Sequence, residues 1–579
     1  MPLRSAAWLS GDDLPGFLHR ASLRATGLSP AALNGRPVVG IANSWSELVH
    51  CNLHLRGLAD AVRRGVLQAG GLPVEFPTIS LGENLMKPTA MMYRNLMAMD
   101  VEESIRAYPL DAVVLLGGCD KTVPAQLMGA ASANVPAIMV TGGPAVPAVF
   151  RGRRLGVGTD LWRYADQLRR GEMSRSEFAD LEQASMPGAG HCTEMGTAST
   201  MATVTEALGM SLANAAAVPA GDARRYAAAE AAGARAVALA TSGPRPVQVL
   251  TRPAFLNAAT VLAAIGGSTN AIVHLLALAR RVGAALTLDD FDAVAARTPL
   301  LVNVRPSGEH LFEDFYHAGG VPALLHELKP LLDTTALTVS GRSLGNQVVG
   351  PVNDRTVIAS LDDPFGPPGA LAVVRGNLAP RGAVIKTSAA SPHLMRHRGP
   401  AVVFDSITDL ADRIDSPDLA VTADSVLVLR NVGPVGGPGM PEWGQLPIPT
   451  KLLRAGITDM VRISDARMSG TAYGTTVLHV APEAAVGGPL AAVRDGDMIE
   501  LDLPARSLRL DLPEPEIDRR LQHNPPPPRP YRRGWGHLYT EHVLQADDGC
   551  DFDFLTRTVD GTDETDLPLG LLSGWHGGW

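Results

Sequence analysis

The sequence predicts an α/β protein in two parts, an N-terminal parallel-sheet α/β unit followed by a C-terminal β-barrel-like unit. Three observations carry that expectation. Apolar strand-like runs alternate with helical patterns early in the chain, the arrangement of βαβ units. Ala-rich helical segments follow. Beyond Pro367 the texture changes to short β-type runs between Gly/Pro turns, the signature of a barrel or sandwich.

In order, Pro37 to Ala42 reads as a strand, Leu53 to Leu67 as a helix and Pro73 to Ile79 as a second strand. Ala112 to Leu116 then runs into Gly117, Gly118 and Cys119, with a small-residue helix from Thr122 and a strand over Ala137 to Thr141. Open parallel sheets bind ligands in the crevice beyond the carboxyl ends of their strands, which places Gly117 to Lys121 at a candidate site. Helices are expected over Thr200 to Ala216, Ala227 to Thr241 and Ala258 to Arg281. The later β-type runs are Ala370 to Val374, Ala383 to Lys386, Ala401 to Phe404, Ser425 to Leu429 and Met498 to Leu503. The boundary falls within Asp363 to Pro368, dividing the chain into 1–365 and 366–579. Pro525 to Pro528 reads as a semi-rigid spacer before an aromatic tail, Tyr531 to Trp579.

The 579 residues, 46% hydrophobic and 19% charged, suffice for more than one core. The net charge of -9 is interspersed, so the basic stripe that nucleic acid requires is missing. Pro136 to Phe150 is apolar but interrupted by Gly142, Gly143, Pro144 and Pro147, and is too short for a bilayer. Asp12 and Asp13 directly follow the short apolar patch Ala6 to Leu9, unlike a signal peptide. A cytoplasmic enzyme with no nucleic-acid or membrane partner is expected. Four scattered cysteines are too few for a disulfide framework, and a reducing compartment leaves them available as thiolate ligands.

Three cysteines lie in Gly-rich or polar loops: His50-Cys51-Asn52, Gly117-Gly118-Cys119-Asp120-Lys121-Thr122 and Gly188-Ala189-Gly190-His191-Cys192-Thr193. They lack the local spacing of a recognisable metal motif, and each alone also fits a buried structural thiol. Asp120 and Lys121 directly after Cys119 set hard ligands beside a soft one, the pattern of two adjacent metals, although Asp-Lys is also an ordinary surface pair. Ser469-Gly470-Thr471 is a turn or a catalytic loop. His191, His537 and His542 read as structural or solvated, and Cys550 as a buried cysteine outside the ligand set.

Six ordered motifs covering nearly the whole length resemble the dihydroxy-acid and 6-phosphogluconate dehydratase family: GGCDKT (Gly117 to Thr122), PGAGHCTEMGTASTM (Pro187 to Met201), GGSTNA (Gly266 to Ala271), RGNLAPRGAVIK (Arg375 to Lys386), GGPGMPE (Gly436 to Glu442) and DARMSGT (Asp465 to Thr471). The resemblance implies a 2Fe-2S cluster on Cys51, Cys119 and Cys192 with one iron left open, and Mg²⁺ on Glu83, Asp120, Glu442 and Lys121, the last as its carbamate. It implies Ser469 as the base that takes the C2 proton, with Thr471 beside it in the catalytic set.

Lys87 to Asn95, Gly158 to Trp162 and Tyr531 to Phe554 look more like the sugar-acid branch, because their polar residues suit a polyhydroxy acid. The expected reaction dehydrates an aldonic acid such as a pentonate to its 2-keto-3-deoxy acid, in a homodimer or homotetramer. Two alternatives remain, a dihydroxy-acid dehydratase of branched-chain amino-acid synthesis and a non-catalytic iron-sulfur redox sensor. The aromatic terminus Ser573 to Trp579, with His576, is a candidate to dock on a partner subunit.

Overall fold

A computed structural model describes residues 3–33, 35–348, 350–443 and 445–556. Its first unit is built on four parallel strands, β1 (Val38–Asn43), β2 (Leu72–Pro77), β3 (Ala112–Gly117) and β4 (Ala137–Thr141), in the order β2-β1-β3-β4. Every residue of β1, β3 and β4 is buried, as their near-continuous apolar runs require. Edge strand β2 turns solvent-facing at alternate positions toward its end. Helices Leu55–Gln68 and Ala223–Ser242 pack together along the sheet, as do Arg94–Ala107 and Thr122–Ala133.

The second unit is a closed eight-stranded barrel. Around it run Val426–Leu429, Arg462–Ser464, Thr476–Ala481, Ala379–Ile385, Ala372–Gly376, Ser507–Leu510, Met498–Asp502 and Arg396–Phe404. Closure leaves no free sheet edge. Its aliphatic interior includes Val374, Ile385, Val428, Ile463, Val477 and Ile499.

Past the barrel the chain returns to the first unit. The helix Gly534–His542 places Trp535 Nε1 3.2 Å from the Met92 carbonyl, to which it donates. The buried Arg94 guanidinium donates to the carbonyls of Gly549 (2.9 Å) and Cys550 (2.8 Å). Arg281 grips Asp551 through two bonds of 2.6 and 3.0 Å, both side chains being fully buried. His576 and the segment 573–579 lie outside the described residues.

Two helical expectations are corrected. The pattern over Ala258 to Arg281 is two helices, Arg252–Ala264 and Asn270–Arg281, because Gly266 takes a φ of 52° and breaks the ladder. The helix expected from Thr200 to Ala216 spans Thr197–Ala207, the chain turning at Gly209 (φ 79°).

Candidate active site

The strand order reverses between β1 and β3, and a crevice opens where their connections diverge. β1 leads toward Cys51, and β3 leads directly into Gly118, Cys119, Asp120 and Lys121. A Cβ on Gly118 would lie 2.2 Å from the Cys51 carbonyl oxygen, so a glycine there is what lets the two cysteine loops touch. Asn52 Oδ1 accepts from Gly118 N at 2.9 Å and locks that contact. The third cysteine loop is tied in by Gly190 N, which donates to the His50 carbonyl at 3.2 Å.

All four cysteines are free, and Cys51 and Cys119 are buried side by side with their thiols hydrogen-bonded. The bond to Cys119 and burial push the Cys51 thiol well above its ordinary range, and Cys119, Cys192 and Asp120 add to the rise. Burial, then Glu194 and Cys119, do the same to Cys192. Ionising these thiols together needs a cation among them. The donor set therefore fits an iron-sulfur cluster.

A second donor set adjoins the first. One carboxylate oxygen from each of Glu83, Asp120 and Glu442 lies within 4.8 Å of the other two. The buried Lys121 ammonium stands among them, 3.0 Å from Glu83 Oε2, 2.8 Å from Glu442 Oε2 and in contact with Asp120. Burial and Arg467 oppose its charge, but the three carboxylates outweigh them and raise its pKa. Burial alone would raise Glu442, yet Lys121 and Arg467 bring it down to about 2. The ammonium occupies the place of a cation in an all-oxygen cage. Exchanging it for a carbamate removes two positive charges, which one Mg²⁺ restores, so this set fits magnesium.

Asp120 joins the two sets, since Cys119 Sγ lies 3.4 Å from its Oδ1. Glu442 comes from the barrel side, where backbone pairing sets it opposite Arg467. The two form an ion pair of 2.9 Å, and Arg467 Nε also donates to the Met440 carbonyl at 3.0 Å. Ser469 and Thr471 follow immediately, their hydroxyls 2.9 Å apart. Asn270 Nδ2 bridges Glu442 Oε2 (3.2 Å), the Met468 carbonyl (3.1 Å) and Thr197 Oγ1 (3.1 Å). A Cβ on Gly470 would sit 2.8 Å from Thr197 N, so the serine loop rests on the start of the helix Thr197–Ala207. Thr159 Oγ1 holds the loop from the other side, donating to the Thr471 carbonyl at 2.9 Å.

The nine residues singled out by resemblance thus lie in one connected region. Arg467, Asn270, Thr159 and Lys386 belong to it as well and were not singled out. The first, second and last stand inside the quoted motifs, and Thr159 inside the Gly158 to Trp162 region, so the signal was present without a role attached. The buried His191 donates from Nδ1 to the Cys192 carbonyl (2.9 Å), and burial lowers its pKa to about 3. His537 and His542 are surface groups near Glu541 and Asp553. Cys550 is buried, its Sγ 3.3 Å from Met440 Sδ.

Two family models match the chain, the dihydroxy-acid/6-phosphogluconate dehydratase N-terminal model over residues 36–347 and the C-terminal model over 356–550. An L-arabonate dehydratase of Azospirillum brasilense is 51% identical, over 96% of this chain and 97% of its own. An L-arabinonate dehydratase of Rhizobium leguminosarum bv. trifolii is 50% identical over 96% of each chain. A 6-deoxy-6-sulfo-D-gluconate dehydratase of Pseudomonas putida is 48% identical, again over 96% of each. The chain belongs to the dihydroxy-acid/6-phosphogluconate dehydratase family and is a hydro-lyase.

Proposed function

We propose that this member of the dehydratase family removes water from a pentonate-type sugar acid, giving the 2-keto-3-deoxy acid. The observation that carries the reading is Asp120, which lies 3.4 Å from the Cys119 thiol on one side and completes an oxygen cage on the other. Cys51, Cys119 and Cys192 would hold a 2Fe-2S cluster. Glu83, Asp120, Glu442 and carbamylated Lys121 would hold Mg²⁺. When bound, the two centres supply Lewis acidity toward the oxygens of the substrate.

The protein's own groups do the rest. Ser469 takes the proton from C2, with Thr471 keeping its hydroxyl oriented. Arg467 and Asn270 fix Glu442 relative to the serine loop, so the oxygen cage and the base keep one geometry. Loss of the C3 hydroxyl leaves an enol, which tautomerises to the keto acid. The sugar-acid assignment draws on the relatives that act on L-arabonate and 6-deoxy-6-sulfo-D-gluconate. Assembly as a homodimer or homotetramer is part of the proposal, and sedimentation measures it.

The test is a keto-acid assay on anaerobically prepared, Mg²⁺-loaded enzyme, with pentonates, hexonates, 6-deoxy-6-sulfogluconate and 2,3-dihydroxy-3-methylbutanoate. Highest kcat/KM on a pentonate is expected. Preference for the branched acid overturns the substrate class, and turnover of none overturns the reaction in favour of a redox-sensing role.

A further inference from the structure

Lys386 closes the RGNLAPRGAVIK motif at the end of the barrel strand Ala379–Ile385. Its Nζ donates to the carbonyl of Gly470, the residue between Ser469 and Thr471, at 3.3 Å. That is its one hydrogen bond among the described residues, and it has no carboxylate partner there. An ammonium has three donors, so most of its capacity is unused.

The other charged groups on the surrounding elements are engaged elsewhere: Asp465 on the serine loop accepts from Asn431 N, Val432 N and Ala484 N, burial lowers His479 on the neighbouring strand to about 3, and the rest are ion-paired. On the serine loop Arg467 pairs with Glu442, and below it Asp459 pairs with Arg462. On the lysine's own strand Arg381 pairs with Asp547 and Asp548. Next to Ser307, which hydrogen-bonds Ser388, Arg305 pairs with Asp160. Lys121, the remaining cation of the region, is surrounded by three carboxylates. Among the described residues Lys386 is therefore a cation next to the serine loop with no anion in ion-pair reach. Protein crowds its amine, yet part of the side chain stays accessible.

A serine hydroxyl is a weak base in water and works only where a positive charge favours its alkoxide. We propose that Lys386 is a positioning residue that holds the serine loop through the Gly470 carbonyl and directs an uncancelled positive charge at Ser469, favouring its ionised form. This rests on the dehydratase reading for the role of Ser469. Burial, with no acid nearby to offset it, lowers the lysine to about 7. Its charge is thus present below neutrality and fades above it, and the support it gives Ser469 fades in the same direction.

Two readouts test this on the full-length holoenzyme of the wild type, Lys386→Met and Lys386→Arg, between about pH 6 and pH 9. The first is kcat and KM on the best pentonate. Lys386→Met should lower kcat by about 100-fold with KM changed less than about threefold, while Lys386→Arg keeps most of kcat and loses the alkaline decline. The second needs no substrate: the rate at which a sulfonyl fluoride labels Ser469, read by mass spectrometry. It should fall in Lys386→Met and stay flat with rising pH in Lys386→Arg. Labelling rates and pH profiles equal to wild type in both variants overturn the proposal. If Lys386→Met does not fold, the Lys386→Arg profile decides, and an unchanged alkaline limb contradicts it. Wild-type enzyme that turns over no acid yet shows the labelling differences would fault the dehydratase reading and leave the Lys386–Ser469 coupling standing.

Discussion

The thiol pocket and the oxygen cage share Asp120 but are assembled differently. The three cysteines all come from the α/β unit, and close backbone approaches, Gly118 against Cys51 and Gly190 against His50, bring them together with the help of the Asn52 side chain. The cage takes Glu83, Asp120 and Lys121 from that unit but Glu442 from the barrel side, which also supplies Arg467 and Ser469 beside it. Its geometry therefore depends on how the two units and the returning C-terminal segment fit. Changes within the first unit should strike the cluster, whereas changes at the junction should strike magnesium and proton transfer while sparing iron.

The largest expected effect is at the thiol pocket. Cys119→Ser should lose the cluster and with it all turnover, read by iron and sulfide content and the keto-acid assay. A full cluster in that variant would break the ligand assignment. Glu442→Gln should keep its iron but bind Mg²⁺ more than about 100-fold more weakly, beyond the range of an outer-shell change. Equal loss of iron and magnesium would erase the distinction between the two sets.

A change at the junction comes next. Asp551→Ala leaves the buried Arg281 with Glu102 (3.2 Å) as its remaining acidic partner and should destabilise the fold by about 1–3 kcal/mol, measured by denaturant unfolding. Its neighbours Gln545 and Cys550 touch Glu483 and Met440, on the approach to Glu442. Magnesium retention should accordingly suffer before iron does, and the reverse order would contradict the account.

The smallest effect concerns pH. Glu483 accepts from Val435 N and Gly436 N, both at 2.8 Å, and so anchors the loop that carries Glu442. Burial, then Asp465, raises it from 4.5 to about 7. Its folded value lies above its unfolded one, so its protonation contributes stability at low pH that is lost as pH rises from 4.5 to about 7. Glu483→Gln should remove about 1 to 3 kcal/mol of that slope. Parallel stability profiles for variant and wild type would show that the carboxyl is not protonated in the fold.

The two regions also differ in how far the sequence revealed them. Strands β1, β3 and β4 were legible because buried parallel strands are continuous apolar runs, and Cys119-Asp120-Lys121 stood visibly at the end of one. Arg462–Ser464 and Thr476–Ala481 were not, since a barrel strand of a few residues carrying Arg462 or His479 has too little pattern to register. The return of the tail onto Arg94 and Arg281 was illegible for another reason. Its bonds join residues hundreds of positions apart and involve backbone carbonyls, which leave no mark in the sequence. The convergence of Glu442 with Asp120 came from resemblance, and its physical cause, the pairing of Glu442 with Arg467, needed coordinates.

The central claim is that the metals and the base are separable parts of one site. Ser469→Ala, prepared anaerobically, tests it by iron, sulfide and magnesium analysis alongside the keto-acid assay on the best pentonate. The account predicts wild-type metal content with kcat lowered by about 10²- to 10⁴-fold. Turnover within about threefold of wild type at full metal loading would contradict it, and the base would have to be sought elsewhere.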